Sequence, residues 1–227
     1  MKQKTAAGSI LLSIVCCAGI MCYVDAVVQP GYALKSVIKI TLFLLVPFCY
    51  FLANRQDFPQ FKKLFVPRKR DMVLALLMGV GVFGLILGGY FLVTRFLDLT
   101  DMILGLTANA GVSPGNFLWV SIYISFVNSL LEEFLFRGFA FIVLKEKIGR
   151  TGAYAFSAVL FALYHSGMFA GSVNIPIWLA AMVGLCVAGA VLNRLNERCG
   201  NIYTSWIVHM FANFSINTVG FIVFGMI

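Results

Sequence analysis

SIYISFVNSLLEEFLFR, residues 121–137, sets Glu132, Glu133 and Arg137 inside an apolar run that extends from Phe117 to Leu144. On a helix of about 3.6 residues per turn, Ser121, Ser125, Asn128 and Glu132 recur at steps of four, three and four and share a face. Ser129, Glu133 and Arg137 recur every four residues on the adjoining face. A charge inside a bilayer costs at least about 2.5–3.5 kcal/mol on insertion scales, so such groups have partners and a purpose. Burial and a neighbouring like charge both disfavour an ionised carboxylate. A carboxylate drawn toward neutrality is suited to work as a general base.

Around this stretch the chain is oily. Its 227 residues are 61% hydrophobic and 11% charged, and several apolar runs exceed the roughly 18 residues of a spanning helix. That excludes a soluble domain. The expected fold is all-α: a polytopic transmembrane helical bundle of about seven spans with short interfacial helices, residues 1–227 forming a single domain. The net charge of +8 does not point to nucleic acid, because the basic residues cluster between spans, where they face the lipid surface. The six cysteines show no CxxC or Cys/His metal spacing. Five of them lie in apolar runs and read as small packing residues.

The predicted spans cover about 7–28, 34–53, 71–94, 117–144, 152–170, 175–193 and 202–227. Val24 and Ala26 would suit signal-peptide cleavage, but the first apolar run is longer than the usual 7–15 residues, which favours a retained span. Residues 55–70 hold Arg55, Lys62, Lys63, Arg68, Lys69 and Arg70, with Phe58, Phe61 and Phe65 on one face. They predict a short helix lying in the interface. Gly84 and Gly88 have GxxxG spacing and predict a close-packing face. The connector 95–116 has room for a surface helix. With the N-terminus in the cytosol, thirteen of the seventeen basic residues fall inside, Lys2 and Lys4 among them. Lys35, Lys39 and Arg95 fall outside. The expectation is an integral protein of the plasma (inner) membrane with a cytosolic N-terminus and an external C-terminus.

Both histidines of the chain are intramembrane. His165 shares a face of the fifth span with Tyr154, Ser157 and Phe161, and His209 shares a face of the seventh with Ser205, Asn213 and Asn217. Three helices with polar faces hide them most economically by turning toward one another. The predicted result is a buried, wet cavity lined by Glu132, Glu133, Arg137, His165, His209 and Asn213.

EEFLFR is an EExxxR motif, FALYH is FxxxH and HMFAN is HxxxN, in that order on successive predicted helices. The trio resembles the CAAX protease and bacteriocin-processing family of intramembrane endopeptidases, which includes the type II CAAX prenyl endopeptidases. The resemblance spans roughly Phe117 to Asn217, so it marks 116–227 as a catalytic core, and spans one to three, within 1–115, carry no family signature. It implies hydrolysis of a peptide bond in a membrane-associated peptide or protein. Glu132 would activate water that His165 orients, His209 and Asn213 would stabilise the oxyanion, and Glu133 and Arg137 would buttress the site. The cofactor is either none or a single divalent metal such as zinc. Glu132, His165 and His209 are the candidate ligands for such a metal, with water in the fourth position, although HExxH is absent. Short loops suit the compact bacterial members, associated with peptide maturation or bacteriocin immunity. The rival class is a non-catalytic adaptor that binds a partner's transmembrane segment. A transporter fits less well, since no internal repeat is visible.

Overall fold

The computed structural model describes residues 2–227, with side chains from Thr5 onward. Lys2 and Lys4, expected to flank the first span, lie outside the described side chains. Helices account for the architecture, and no strand occurs among the described residues.

Helix α1 (Lys2–Tyr23) runs on into a π-helical turn, Val24–Val28, and stops where Gln29 takes a left-handed conformation ahead of Pro30 and Gly31. Helix α2 (Tyr32–Ala53) buries one face, made of Lys35, Lys39, Phe43, Pro47 and Tyr50. The short α3 (Phe58–Lys63) is held by Phe61, whose ring lies 4.4 Å from Phe51 and 5.0 Å from Phe134, while Lys62 and Lys63 stay exposed. A short amphipathic helix thus forms where the phenylalanine spacing predicts one. Helices α4 (Lys69–Val93) and α5 (Thr100–Asn109) follow, α5 filling the connector.

Helix α6, residues 117–148, alternates between α and π geometry. Its π segments are Ile124–Asn128 and Glu133–Val143, and every residue from 135 to 144 is buried. Helix α7 (Arg150–Tyr164) tightens into a 3-10 tail, His165–Phe169. Helix α8 (Ile175–Cys199) starts at an Asn174 cap that accepts the Ile177 N–H, and ends at Gly200 with φ 69°. Helix α9 (Tyr203–Val223) completes the chain.

Five helices are long and apolar enough to cross a membrane: Thr5–Val28, Tyr32–Ala53, Lys69–Val93, Ile175–Cys199 and Tyr203–Val223. The other two predicted spans look different. The fourth is the α/π composite α6, and the fifth has 15 residues of regular α-helix before its 3-10 tail. The count of seven crossings therefore rests on the sequence alone.

A large apolar core joins α1, α2, α3, α6 and α7 through side chains such as Ile10, Ile14, Phe43, Phe136 and Phe139. A smaller one joins α4, α8 and α9 through Ala75, Leu192, Leu195 and Val208. The close approach on α4 is at Gly79, where an added Cβ would lie 2.6 Å from the Phe211 ring of α9. Gly84 and Gly88 have no neighbour within 4 Å, which corrects the GxxxG expectation. The packing glycine precedes that pair, and its partner is an aromatic ring rather than another backbone.

Candidate active site

The polar side chains facing α6 bond its backbone, its serine hydroxyls and its carboxylates. The first group satisfies carbonyls along the widened helix. Asn213 donates to the Ile124 carbonyl at 3.1 Å, Asn217 to the Ser121 carbonyl at 3.1 Å and Trp206 Nε1 to the Phe126 carbonyl at 3.1 Å. From α7, the Ser157 hydroxyl donates to the Phe136 carbonyl at 2.8 Å. Where water is scarce, such bonds hold irregular helical backbone in place. The polar stripe Ser205, His209, Asn213, Asn217 is thus split in use: the two asparagines clamp backbone and His209 joins the carboxylates.

Glu132 is 2% exposed and its two oxygens are treated very differently. Oε1 accepts from Lys39 Nζ at 2.6 Å, Asn128 Nδ2 at 2.9 Å and the Tyr164 hydroxyl at 3.2 Å. Lys39 also donates to Asn128 Oδ1, which turns the amide so that its NH2 faces Glu132. Oε2 accepts no hydrogen bond. It lies 3.7 Å from His165 Nε2 and 3.7 Å from His209 Nε2.

The outer nitrogen of each ring fixes what the inner one presents. Helix α7 ends as the His165 N–H bonds the Ala162 and Leu163 carbonyls, and the Phe161 carbonyl takes His165 Nδ1 at 2.7 Å. A carbonyl can only accept, so Nδ1 carries the proton and Nε2 holds a lone pair in the neutral ring. His209 Nδ1 lies 2.9 Å from Glu133 Oε1, which fixes that ring in the same sense. Three acceptor atoms, Glu132 Oε2 and the two Nε2, therefore converge with no donor among them. A water molecule, which brings two O–H donors, can satisfy two of the three.

Behind this layer Glu133 and Arg137 are both fully buried, with Arg137 Nε 3.6 Å from Glu133 Oε2. None of the Arg137 nitrogens has a hydrogen-bond partner, and its guanidinium carbon sits 3.9 Å above the Phe161 ring. Phe161 thus serves FxxxH twice, with its carbonyl toward the histidine and its ring toward the arginine.

Of the six residues expected from sequence, the structure brings Glu132, Glu133, Arg137, His165 and His209 together and gives the amide donor of Asn213 to the Ile124 carbonyl. Sequence reasoning missed Lys39 and Tyr164. Lys39 was expected near one end of the second span, counted with the outer-side charges, and the structure corrects this: it is 6% exposed and paired with Glu132. The available signal was its spacing, since Lys35, Lys39, Phe43 and Pro47 recur every four residues on the buried face of α2. Lys35 is likewise buried and pairs with Asp25 at 2.9 Å.

A divalent metal on Glu132, His165 and His209 fits poorly. Among the described residues no group of three or more His, Cys, Asp and Glu side chains is arranged to hold a metal ion. The Lys39 ammonium already neutralises the same carboxylate.

Residues 114–215 match the family model described as type II CAAX prenyl endopeptidase Rce1-like. No curated protein and no solved structure matches the chain. The chain thus joins five helices apolar enough to cross a membrane to a stretch similar to a family of prenyl endopeptidases. The matched stretch takes in both glutamates, Arg137, both histidines and Asn213 but leaves α1 to α5, and Lys39 with them, outside.

Proposed function

We propose that the chain is an intramembrane endopeptidase in which Glu132 activates water. The observation that carries this reading is the asymmetry of one carboxylate: Oε1 is saturated by three donors, and Oε2 is unbonded and faces two histidine lone pairs. Water held there gives one proton to Glu132 Oε2 and is oriented through its other O–H by His165. The hydroxide oxygen bonds to the scissile carbonyl carbon, the C–N bond breaks, and the proton passes from Glu132 to the leaving amine. His209, on taking up a proton from solvent at Nε2, becomes the donor proposed for the oxyanion. Asn213 reaches that oxygen only by exchanging its bond to the Ile124 carbonyl. Glu133 and Arg137 hold His209 and one another.

The substrate class we infer is a membrane-associated peptide or protein, with prenylated CAAX-type peptides as the first to try because of the family matched. Among biological roles, short loops favour the compact bacterial type, acting in peptide maturation or bacteriocin immunity. The test compares the membrane peptidome of one host carrying the wild-type chain or Glu132→Ala at equal abundance. Peptides that appear only with the wild type are expected. Identical peptidomes, with the variant still supporting the cellular phenotype, would move the function to an adaptor that binds a transmembrane segment.

We also propose the orientation given by the basic residues, cytosolic N-terminus and external C-terminus. Moving Lys39 into the bundle leaves the inside majority of basic residues intact. A reporter fused after Lys63 is expected to face the cytosol and one after Ile227 to face outward. A cytosolic signal from the second would mean an even number of crossings, and then either α6 or α7 does not span.

A further inference from the structure

We propose that Lys39 is a positioning residue for the catalytic carboxylate, contributed by a helix that lies outside the matched protease domain. The proposal rests on the peptidase reading and names what fixes its base. Lys39 Nζ reaches across 93 residues of sequence to Glu132 Oε1 at 2.6 Å, the shortest of that oxygen's three donor contacts. The ammonium is itself held in place, 4.9 Å from the Tyr164 ring centroid and 5.4 Å from that of Phe43. Its bond to Asn128 Oδ1 sets the amide that supplies the second donor. One cation therefore determines two of the three contacts on Oε1.

The consequence for chemistry is which oxygen does the work. A carboxylate has two equivalent oxygens, and a buried one with no fixed donors can turn about its last bond. With Oε1 pinned by Lys39, the free lone pairs are those of Oε2, between His165 Nε2 and His209 Nε2. Without Lys39 the base is still present, but it is no longer held toward the water. A small misplacement of a reacting group can cost about 10²-fold in rate. The same ammonium supplies the positive charge that a metal would otherwise bring to this carboxylate.

The test uses the full chain in liposomes with a quenched-fluorescent farnesylated CAAX peptide, at matched folded protein. Lys39→Met is expected to lower kcat about 10²-fold with KM within about threefold. Lys39→Arg, which keeps the cation but not its compact shape, should recover part of that loss. In a Glu132→Gln background Lys39→Met should cost nothing further, because there is no base left to position. Thermal unfolding of the same proteins separates this from a purely structural ion pair. A structural role predicts a lower melting temperature with unchanged kcat per folded molecule, and that result overturns the proposal. If Lys39→Met does not accumulate, Lys39→Gln, a neutral donor of similar reach, is read in the same way. Wild-type kcat in Lys39→Met beside an inactive Glu132→Gln sinks the positioning role alone. An active Glu132→Gln sinks the peptidase reading and this proposal with it.

Discussion

Glu132→Gln is expected to cut peptide hydrolysis by about 10²–10⁴-fold while the protein still folds and still captures substrate. The amide cannot take a proton from water, which removes the chemical step. Its shape suits the site in only one orientation. The side-chain oxygen must face Lys39, Asn128 and Tyr164, since an NH2 there would meet three donors. The NH2 then points at His165 Nε2 and His209 Nε2, which hold lone pairs. The variant thus keeps the hydrogen bonds and loses the base, so kcat falls and KM changes little. Single-turnover cleavage and co-purification of a substrate peptide, measured on the same preparation, check both halves. Equal losses of cleavage and capture would point to a disrupted site rather than a missing base.

The second large effect is on folding. Arg137→Ala is expected to destabilise the protein by about 3–5 kcal/mol, because it leaves Glu133 as a buried charge without its partner. Domains are commonly stable by only about 5–15 kcal/mol, so abundance in the membrane should fall steeply. Arg137 has no hydrogen bond to forfeit; what disappears is the charge 3.6 Å from Glu133 and the contact with the Phe161 ring. Arg137→Lys should rescue little, since a compact ammonium does not reproduce the planar stack. Pairing Arg137→Met with Glu133→Gln removes both charges and should restore abundance without restoring activity, Glu133 being the residue that seats His209. Size-exclusion profiles and unfolding midpoints in detergent separate these outcomes. A stable Arg137→Ala protein would show that Glu133 finds compensation elsewhere.

The meeting of Glu132, His165 and His209 was legible before any coordinates. An apolar chain with two histidines and one EE pair in its spans has few ways to hide those groups except against each other. The Glu133–Arg137 pair followed from i,i+4 spacing in the same way. Lys39 was hidden by a good rule: a lysine near the end of a span usually marks the membrane surface. Here one face of that end of α2 is covered by protein, and the burial of every fourth residue from Lys35 was the stronger signal. Asn213 was grouped with the site because it lies four residues, one turn, from His209 on the regular helix α9, and that spacing does not say which partner its amide takes. The structure joins its amide to a carbonyl of the π-helical backbone of α6. Glycine spacing failed for a simpler reason: GxxxG shows where a close approach is permitted, and Gly79 is where one occurs.

The reach of Lys39 to Glu132 also bears on how the chain enters the membrane. Synthesis runs from the N-terminus, so α2 emerges well before α6. Helix α6 arrives with three charges inside its apolar run 117–144, a poor candidate for partitioning into lipid by itself. One of its glutamates brings its own counter-ion, Arg137, a turn further on. For the other, the counter-ion is already waiting on a helix made earlier. Both carboxylates can be neutralised before α9 and His209 leave the ribosome, so membrane entry of the charged helix does not have to wait for assembly of the site.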